Sequence, residues 1–431
     1  MSKRLTKTFK QSEQLLARAE QSIPLGSQTF SKSKTAYPYS VSPFFVERGN
    51  GCQVWDVDNN QYTDFVSGLL SISLGYCDAD VDAAVLEQLK SGVTFSLPHR
   101  LEMEVAEMII DMVPCAEMVR FGKNGSDATS AAIRLARAYT GNEHIAVCGY
   151  HGWQDWYIGS TTRDLGVPES TKALTHTFQY NNIDSLKKIL DQNRFAAVIM
   201  EPMNLAYPEN DFLQAVKDLC HQHSALLVFD EMITGFRFAK GGAQQLFDVT
   251  PDLATFGKGM ANGYPVSAVV GRKDVMMLME DIFFSGTFAG ETLSLAATKA
   301  ALTKINSKNV LAHIHTIGEQ LIKGLQQIVT DMGEPEWLNI CGHPSWSFLQ
   351  IFDCAPYSSW QLKSLFLQEM AQRGMLLGGG HNLNYSHQSE DIEALLNAYR
   401  EILPLLAKTI SQENFEQVFQ GEILQPLFKV R

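Results

Sequence analysis

The middle of this chain alternates short apolar runs with helical patterns: 118–121 before 127–139, then 145–148, then 195–200 before 211–223, then 225–229. A strand that reads as one continuous apolar run is buried on both faces, and such strands separated by helices pair in parallel with helices covering the sheet. That pattern predicts an α/β chain built on a mostly parallel sheet. On either side the character changes. Residues 6–22 predict an amphipathic helix stopped by Pro24 and Gly26, residues 27–43 a loop, and 44–66 a β-meander with turns at Gly49-Asn50-Gly51 and Asp58-Asn59-Asn60. After about residue 295 a long helical stretch leads into mixed segments ending in a helix at 389–407. The expected division is an N-terminal segment 1–75, a large domain 76–300 and a C-terminal segment 301–431. The two end segments form a smaller α+β domain.

With 431 residues, the chain is long enough for two or three domains at about 100–200 residues each. Lys and Arg number 35 against 47 Asp and Glu, a net charge of −12, which argues against nucleic acid as a partner. The seven cysteines are odd in number and lack CxxC spacing, so they read as reduced thiols of a cytoplasmic protein. No apolar run approaches 18 residues, and the first residues carry no signal-peptide core, so no membrane partner is expected. His221 and His223 lie two apart on a predicted helix and point to different faces, so no metal site is expected.

In a parallel α/β sheet, ligands bind beyond the carboxyl ends of the strands. The first such end runs Phe121-Gly122-Lys123-Asn124-Gly125-Ser126 straight into a helix. It reads either as a phosphate site, where free N–H groups and the helix dipole favour an anion, or as an ordinary turn with Ser126 as N-cap. Glu201 and Asp230 close the next two apolar runs. A carboxylate there needs a partner or a cleft; salt bridge, helix cap and ligand contact all satisfy that need. Lys258 stands between Gly257 and Gly259, a surface charge or a desolvated amine nucleophile. Tyr150-His151-Gly152-Trp153 offers an aromatic plate, and Ser285-Gly286-Thr287 a second phosphate contact, although core packing and loop chemistry explain both as well. Taken together, these are an anion anchor, a ring stack, a partner for a pyridinium nitrogen and a Schiff-base lysine, the requirements of pyridoxal 5'-phosphate.

At this point the chain resembles the class III aminotransferases of fold type I, near their glutamate-1-semialdehyde aminomutase branch. The resemblance rests on Trp55-Asp56-Val57-Asp58, Arg134-Leu135-Ala136-Arg137, Gly149-Tyr150-His151-Gly152, Phe229-Asp230-Glu231 with Gly235-Phe236-Arg237, Pro251-Asp252-Leu253, Phe256-Gly257-Lys258 and Ser285-Gly286-Thr287. It implies that Lys258 holds the cofactor covalently and that Asp230 pairs with the ring nitrogen. Tyr150 covers the ring beside His151, Gly125 and Ser126 take the phosphate, Asn204 meets the ring hydroxyl, and Thr287 reaches the phosphate of a neighbouring subunit. It further implies a homodimer with active sites at the interface.

Three stretches depart from the pattern. Where many ω-amino transaminases have E-P-x-Q-G-E, this chain has Glu201-Pro202-Met203-Asn204-Leu205-Ala206, without the second glutamate. The stretch Gly378 to His387, which contains His381, lacks the acid that the aminomutases carry near their C-terminal histidine motif. Gly26 to Lys32 replaces their Asn-Ser-Pro-Val-Arg-type segment. The expected activity is therefore ping-pong transamination from an amino donor such as glutamate to a polar aldehyde or ketone. Residues 149–163, with Trp153, Arg163 and other hydrogen-bonding side chains, suit a sugar-like acceptor, and His381 is a further substrate candidate. The alternatives are a glutamate-1-semialdehyde 2,1-aminomutase and a non-catalytic protein that binds the cofactor.

Overall fold

The computed structural model describes residues 7–425. These divide into two compact units, one of residues 71–73 and 79–311, the other of residues 7–70, 74–78 and 312–425.

The first unit holds a seven-stranded sheet in the order Met118–Gly122, Ser267–Gly271, Leu253–Phe256, Leu226–Asp230, Phe195–Met200, His144–Cys148, Thr175–Thr177. From Leu253–Phe256 to Thr175–Thr177 every neighbouring pair is parallel. Ser267–Gly271 runs antiparallel to both its neighbours. Every residue of Phe195–Met200, Leu226–Asp230, Leu253–Phe256 and Ser267–Gly271 is buried, which is why the runs are almost wholly apolar, with Asp230, Thr255 and Ser267 as the polar exceptions. The helix Gly125–Thr140 turns Ala128, Ala131, Ala132, Ile133, Leu135 and Ala136 into the core. Its alanines let the helix lie close, so its first turn is fixed against the strand ends.

The strand ends are also in register. Cys148 pairs with Met200, and Met200 with Phe229. The next residues on these adjacent strands, Gly149, Glu201 and Asp230, therefore stand side by side. The functional groups of this unit grow from that row.

In the second unit the meander forms as expected, with strands Val46–Asn50, Gln53–Asp56 and Gln61–Asp64, joined in parallel by Met375–Leu376. Gly51 and Asn59 take the left-handed conformation at the two turns (φ 57° and 64°). Asp56 ties the second turn by accepting from the Asp58 and Asn60 amides at 3.0 and 2.7 Å. A three-stranded sheet of Leu338–His343, Trp346–Ile351 and His381–Asn382 completes this unit with helices Ser359–Gln372 and Ser389–Gln412. The N-terminal helix, Lys10–Ala19, is shorter than the 6–22 expected. The long helical stretch after 295 is two helices, Thr292–Ser307 and Val310–Asp331. Among the described residues, no helix is long and apolar enough to cross a membrane.

Candidate active site

A cavity of about 560 Å3 opens at the strand ends of the first unit, and Gly125, Ser126, Tyr150, His151, Trp153, Asp230 and Lys258 all lie on its wall. Residues from four separate chain segments thus meet in one place.

The floor begins at the helix Gly125–Thr140. Its N-cap is Asn124, not Ser126: Asn124 Oδ1 accepts from the Asp127 amide at 3.1 Å, and Asp127 Oδ2 accepts from the Asn124 amide at 3.1 Å. Asp127 Oδ2 also accepts from the Lys123 amide at 2.9 Å. The Gly125 and Ser126 amides precede the first intrahelical bond, at the positive end of the helix dipole, where an anion is favoured. Ser126 Oγ accepts from the Trp153 amide at 3.2 Å. That contact needs Gly152, whose φ is 107° and whose missing Cβ would overlap Ser126 Oγ.

Asp230, the last residue of its strand, is buried and held by three contacts while it lines the cavity. Its Oδ2 lies 2.8 Å from His151 Nδ1, and its Oδ1 accepts from the Met232 amide at 3.1 Å and Thr255 Oγ1 at 3.3 Å. Where the carboxylate is ionised it can only accept, and His151 Nδ1 is then the donor of this hydrogen bond. Thr129 Oγ1 donates to the His151 carbonyl at 2.8 Å. His151 Nε2 is buried and has no hydrogen-bond partner among the described residues.

Lys258 opens a single 3-10 turn, Lys258–Ala261, with a left-handed φ of 42°. A non-glycine residue held in that region is strained, and such strain collects at functional sites. Burial lowers the Lys258 ammonium below the ordinary lysine range, while the charges of Asp230 and Glu201 oppose the shift.

Asn204 does not belong to the cavity wall. Its Nδ2 donates to Glu201 Oε2, and Glu201 Oε1 accepts from the Tyr150 amide at 2.8 Å. Tyr150 is half-exposed, edge-on to Tyr157 at 5.6 Å between ring centroids. Trp153 is 66% exposed at the rim. Arg163 is exposed and off the wall. Ser285, Gly286 and Thr287 line a different cavity, also about 560 Å3, with Phe95, Leu97 and His99. His381 lies in the other unit, buried, with Nδ1 2.9 Å from Ser347 Oγ and Nε2 2.6 Å from Tyr399 Oη. Both of its ring nitrogens are used within that unit. His221 pairs with Asp252 and His223 with Asp191, and the seven cysteines are free thiols.

Met232 also lines the cavity, a position that sequence reasoning passed over. A Cβ on Gly125 or on Gly257 would stand 3.1 or 2.8 Å from its Sδ, so the thioether is wedged between the helix start and the lysine turn. Its only signal was its place two residues after Asp230. Lys123 was missed as well; its Nζ is held by Glu291 Oε1 at 2.7 Å and the Pro265 carbonyl at 2.9 Å.

The family profile described as Aminotransferase class-III matches residues 35–335. The 3-aminobutyryl-CoA aminotransferase of Cloacimonas acidaminovorans is 33% identical over 408 residues, covering 92% of this chain and 97% of that protein. The glutamate-1-semialdehyde 2,1-aminomutase of Syntrophobacter fumaroxidans is 34% identical over 400 residues, covering 85% and 92%. Among solved structures, the FumI protein of Sphingopyxis sp. MTA144 in its PLP internal aldimine form superposes with a TM-score of 0.86 at 28% identity, covering 93% and 98%. An ω-transaminase from Sphaerobacter thermophilus gives 0.83 at 27% identity, covering 92% and 98%. The chain belongs to the class III aminotransferases, pyridoxal-phosphate-dependent enzymes of fold type I. The cavity fits that cofactor: it pairs a helix start that favours an anion with a buried carboxylate and a lysine, and its glycines leave space that a Cβ would fill.

Proposed function

We propose that this enzyme moves an amino group from glutamate to a polar aldehyde or ketone of the sugar class, with Lys258 and Asp230 as its catalytic residues. The observation that carries the reading is the convergence of Lys258, Asp230, His151 and the Gly125–Ser126 helix start on one cavity. Pyridoxal phosphate, when bound, supplies a carbonyl that condenses with amines and a protonated ring that draws electrons from the bond being broken.

The chain's own residues divide the remaining work. Lys258 Nζ would hold the cofactor and, as the free amine, would take the substrate's α-proton and deliver it to the carbon that bears the cofactor's carbonyl. Its lowered proton affinity suits a base that must be neutral when it acts. Asp230 faces the ring nitrogen and keeps a proton there. His151 holds that carboxylate at 2.8 Å so that it does not turn away. The amides of Gly125 and Ser126 bind the phosphate, and Tyr150 covers the ring.

The acceptor class rests on the rim. Trp153 and Tyr150 expose aromatic faces there, next to Asn124 and Ser71. Flat apolar faces beside hydrogen-bonding groups suit a polyhydroxylated carbonyl compound.

The enzyme acts as a homodimer in which Thr287 serves the neighbour's phosphate. In support, Phe95 (46%) and Leu97 (79%) are exposed on the wall of the Thr287 cavity, and Phe283 (81%) and Phe288 (60%) are exposed next in the chain to its Phe284 and Thr287, apolar surface that calls for a cover.

The test is absorbance of the purified enzyme during addition of glutamate, with Lys258→Ala as control. Loss of the Lys258-dependent band, restored by a sugar aldehyde or ketone, supports the proposal. A band restored only by non-sugar carbonyls overturns the acceptor class. Turnover of glutamate-1-semialdehyde without a second substrate identifies an aminomutase instead.

A further inference from the structure

We propose that Glu201, locked in place by Asn204, is a positioning residue that sets Tyr150 over the cavity and supplies a second negative charge to Lys258 beside that of Asp230. The inference rests on Lys258 being the cofactor-bearing lysine. It goes further by giving work to two residues that do not touch the cavity.

The sheet itself puts Glu201 in position. Gly149, Glu201 and Asp230 follow Cys148, Met200 and Phe229, which pair in register across three parallel strands. Glu201 therefore stands between the loop that carries Tyr150 and the carboxylate at the end of the next strand. Its backbone amide donates to the Cys148 carbonyl at 3.2 Å, which extends the ladder by one residue.

Both oxygens of Glu201 are then used. Oε1 accepts the Tyr150 amide at 2.8 Å, and Oε2 accepts Asn204 Nδ2. Hydrogen bonds to an ionised acceptor are about twice as strong as neutral ones, so the pair fixes the carboxylate's rotation. The Tyr150 loop is also held from its other side, where Tyr157 Oη donates to the Gly149 carbonyl at 2.8 Å. The close passage requires glycine: Gly149 has φ 109°, and a Cβ there would lie 3.0 Å from Glu201 Cγ, Cδ and Oε1. Asn204 is one methylene too short to be a long-reaching contact and is already occupied, so its role is to hold Glu201.

The charge acts in both directions. Burial and then Asp230 raise the Glu201 carboxyl above the ordinary glutamate range, against the opposing pull of the Tyr150 amide, His151 and Lys258. Lys258 in turn feels Asp230 and Glu201 as the two charges that favour its protonated form, and Arg237 as one that opposes it. Cys148, Tyr157 and Tyr180, from the flanking elements, also face Glu201, and all three are pushed to stay neutral. Glu201 and Asp230 are thus the two carboxylates that favour the Lys258 ammonium, and the thiol and phenols around Glu201 stay neutral.

The experiment compares holoenzymes of wild type, Glu201→Gln, Glu201→Ala and Asn204→Leu. It follows the absorbance of lysine-bound cofactor against pH and the visible circular dichroism of the same band. Glu201→Gln keeps an acceptor for the Tyr150 amide and removes the charge, so the titration midpoint should fall by about one pH unit with little change in dichroism. Glu201→Ala should lower the midpoint and also reduce the dichroism, because Tyr150 loses its anchor. Asn204→Leu leaves the charge but frees its orientation, so it should reduce dichroism and leave the midpoint near that of wild type. If Glu201→Gln does not fold, the Asn204→Leu dichroism alone decides the positioning claim. A wild-type midpoint in both Glu201 variants, or wild-type dichroism in Asn204→Leu, overturns the proposal. A wild-type enzyme without any Lys258-dependent band overturns the site assignment beneath it, which is a separate result.

Discussion

His151 Nδ1 lies 2.8 Å from Asp230 Oδ2, both side chains are buried, and the other ring nitrogen of His151 has no partner among the described residues. The histidine orients the carboxylate from behind, while Met232 and Thr255 hold the second oxygen. Asp230→Asn keeps the shape and removes the negative charge that would hold a proton on the ring nitrogen. We expect it to bind cofactor yet lose at least about a hundredfold in kcat. His151→Asn should cost less, because Asp230 keeps its other two contacts. Single-turnover rates with glutamate check both; a His151 variant slower than the Asp230 variant would contradict this division of roles.

Gly152 permits the 149–153 loop to rest on the start of the helix Gly125–Thr140. Gly152→Ala places a Cβ on Ser126 Oγ at a left-handed φ of 107°. Relieving that overlap means lifting the loop, which breaks the 3.2 Å bond from the Trp153 amide to Ser126 Oγ. The strain corresponds to about 1–3 kcal/mol. The expected outcome is weaker retention of cofactor on dialysis and a lower melting temperature, whereas Gly141→Ala, with nothing within 4 Å of the added Cβ, should show only the left-handed backbone cost.

The pH response of Lys258 has a definite sign. Only the neutral amine adds to a carbonyl, and burial lowers the pH at which Lys258 becomes neutral. Recapture of pyridoxal phosphate by apoenzyme should therefore speed up as pH rises and level off below the ordinary lysine value of 10.5. Asp230→Asn should move that midpoint further down, since Asp230 is the larger of the two charges that favour the ammonium. Stopped-flow absorbance measures it, and a midpoint at or above the ordinary value refutes the assignment.

Much of this arrangement was legible in the chain. Unbroken apolar runs marked the strands at 145–148, 195–200 and 225–229, because burial on both faces leaves little room for polar residues, whereas Met118–Gly122 carries the exposed Arg120 and was marked by the helix that follows it. A carboxylate or a glycine-flanked lysine directly after such a run marked the strand ends. Ser267–Gly271 was not legible: its apolar run resembles the others, and nothing local says that it inserts antiparallel between Met118–Gly122 and Leu253–Phe256. The cap at Asn124 was written as Asn-x-x-Asp, one box earlier than the serine that drew attention. Asn204 and Arg163 lie off the cavity wall for a different reason. Sequence proximity to a site residue carries no information about where a side chain turns, and Asn204 turns to Glu201.

His381 and His387, both buried in the second unit, connect structure to acid stability. Burial depresses each from an ordinary 6.5 to about 4. The unfolded chain therefore binds two protons between those limits that the folded chain does not. Their contribution is complete above pH 6.5 and is lost as pH falls toward 4, up to about 3 kcal/mol for each residue. His387 Nδ1 accepts from the Asn384 amide at 3.0 Å, a contact that asparagine's Oδ1 can reproduce. His387→Asn should therefore fold, and its urea midpoint should fall less steeply between pH 7 and pH 5 than that of wild type. His381, with Ser347 and Tyr399 on its two nitrogens, leaves the remaining slope. An unchanged slope in His387→Asn would place the acid sensitivity in the carboxylates instead.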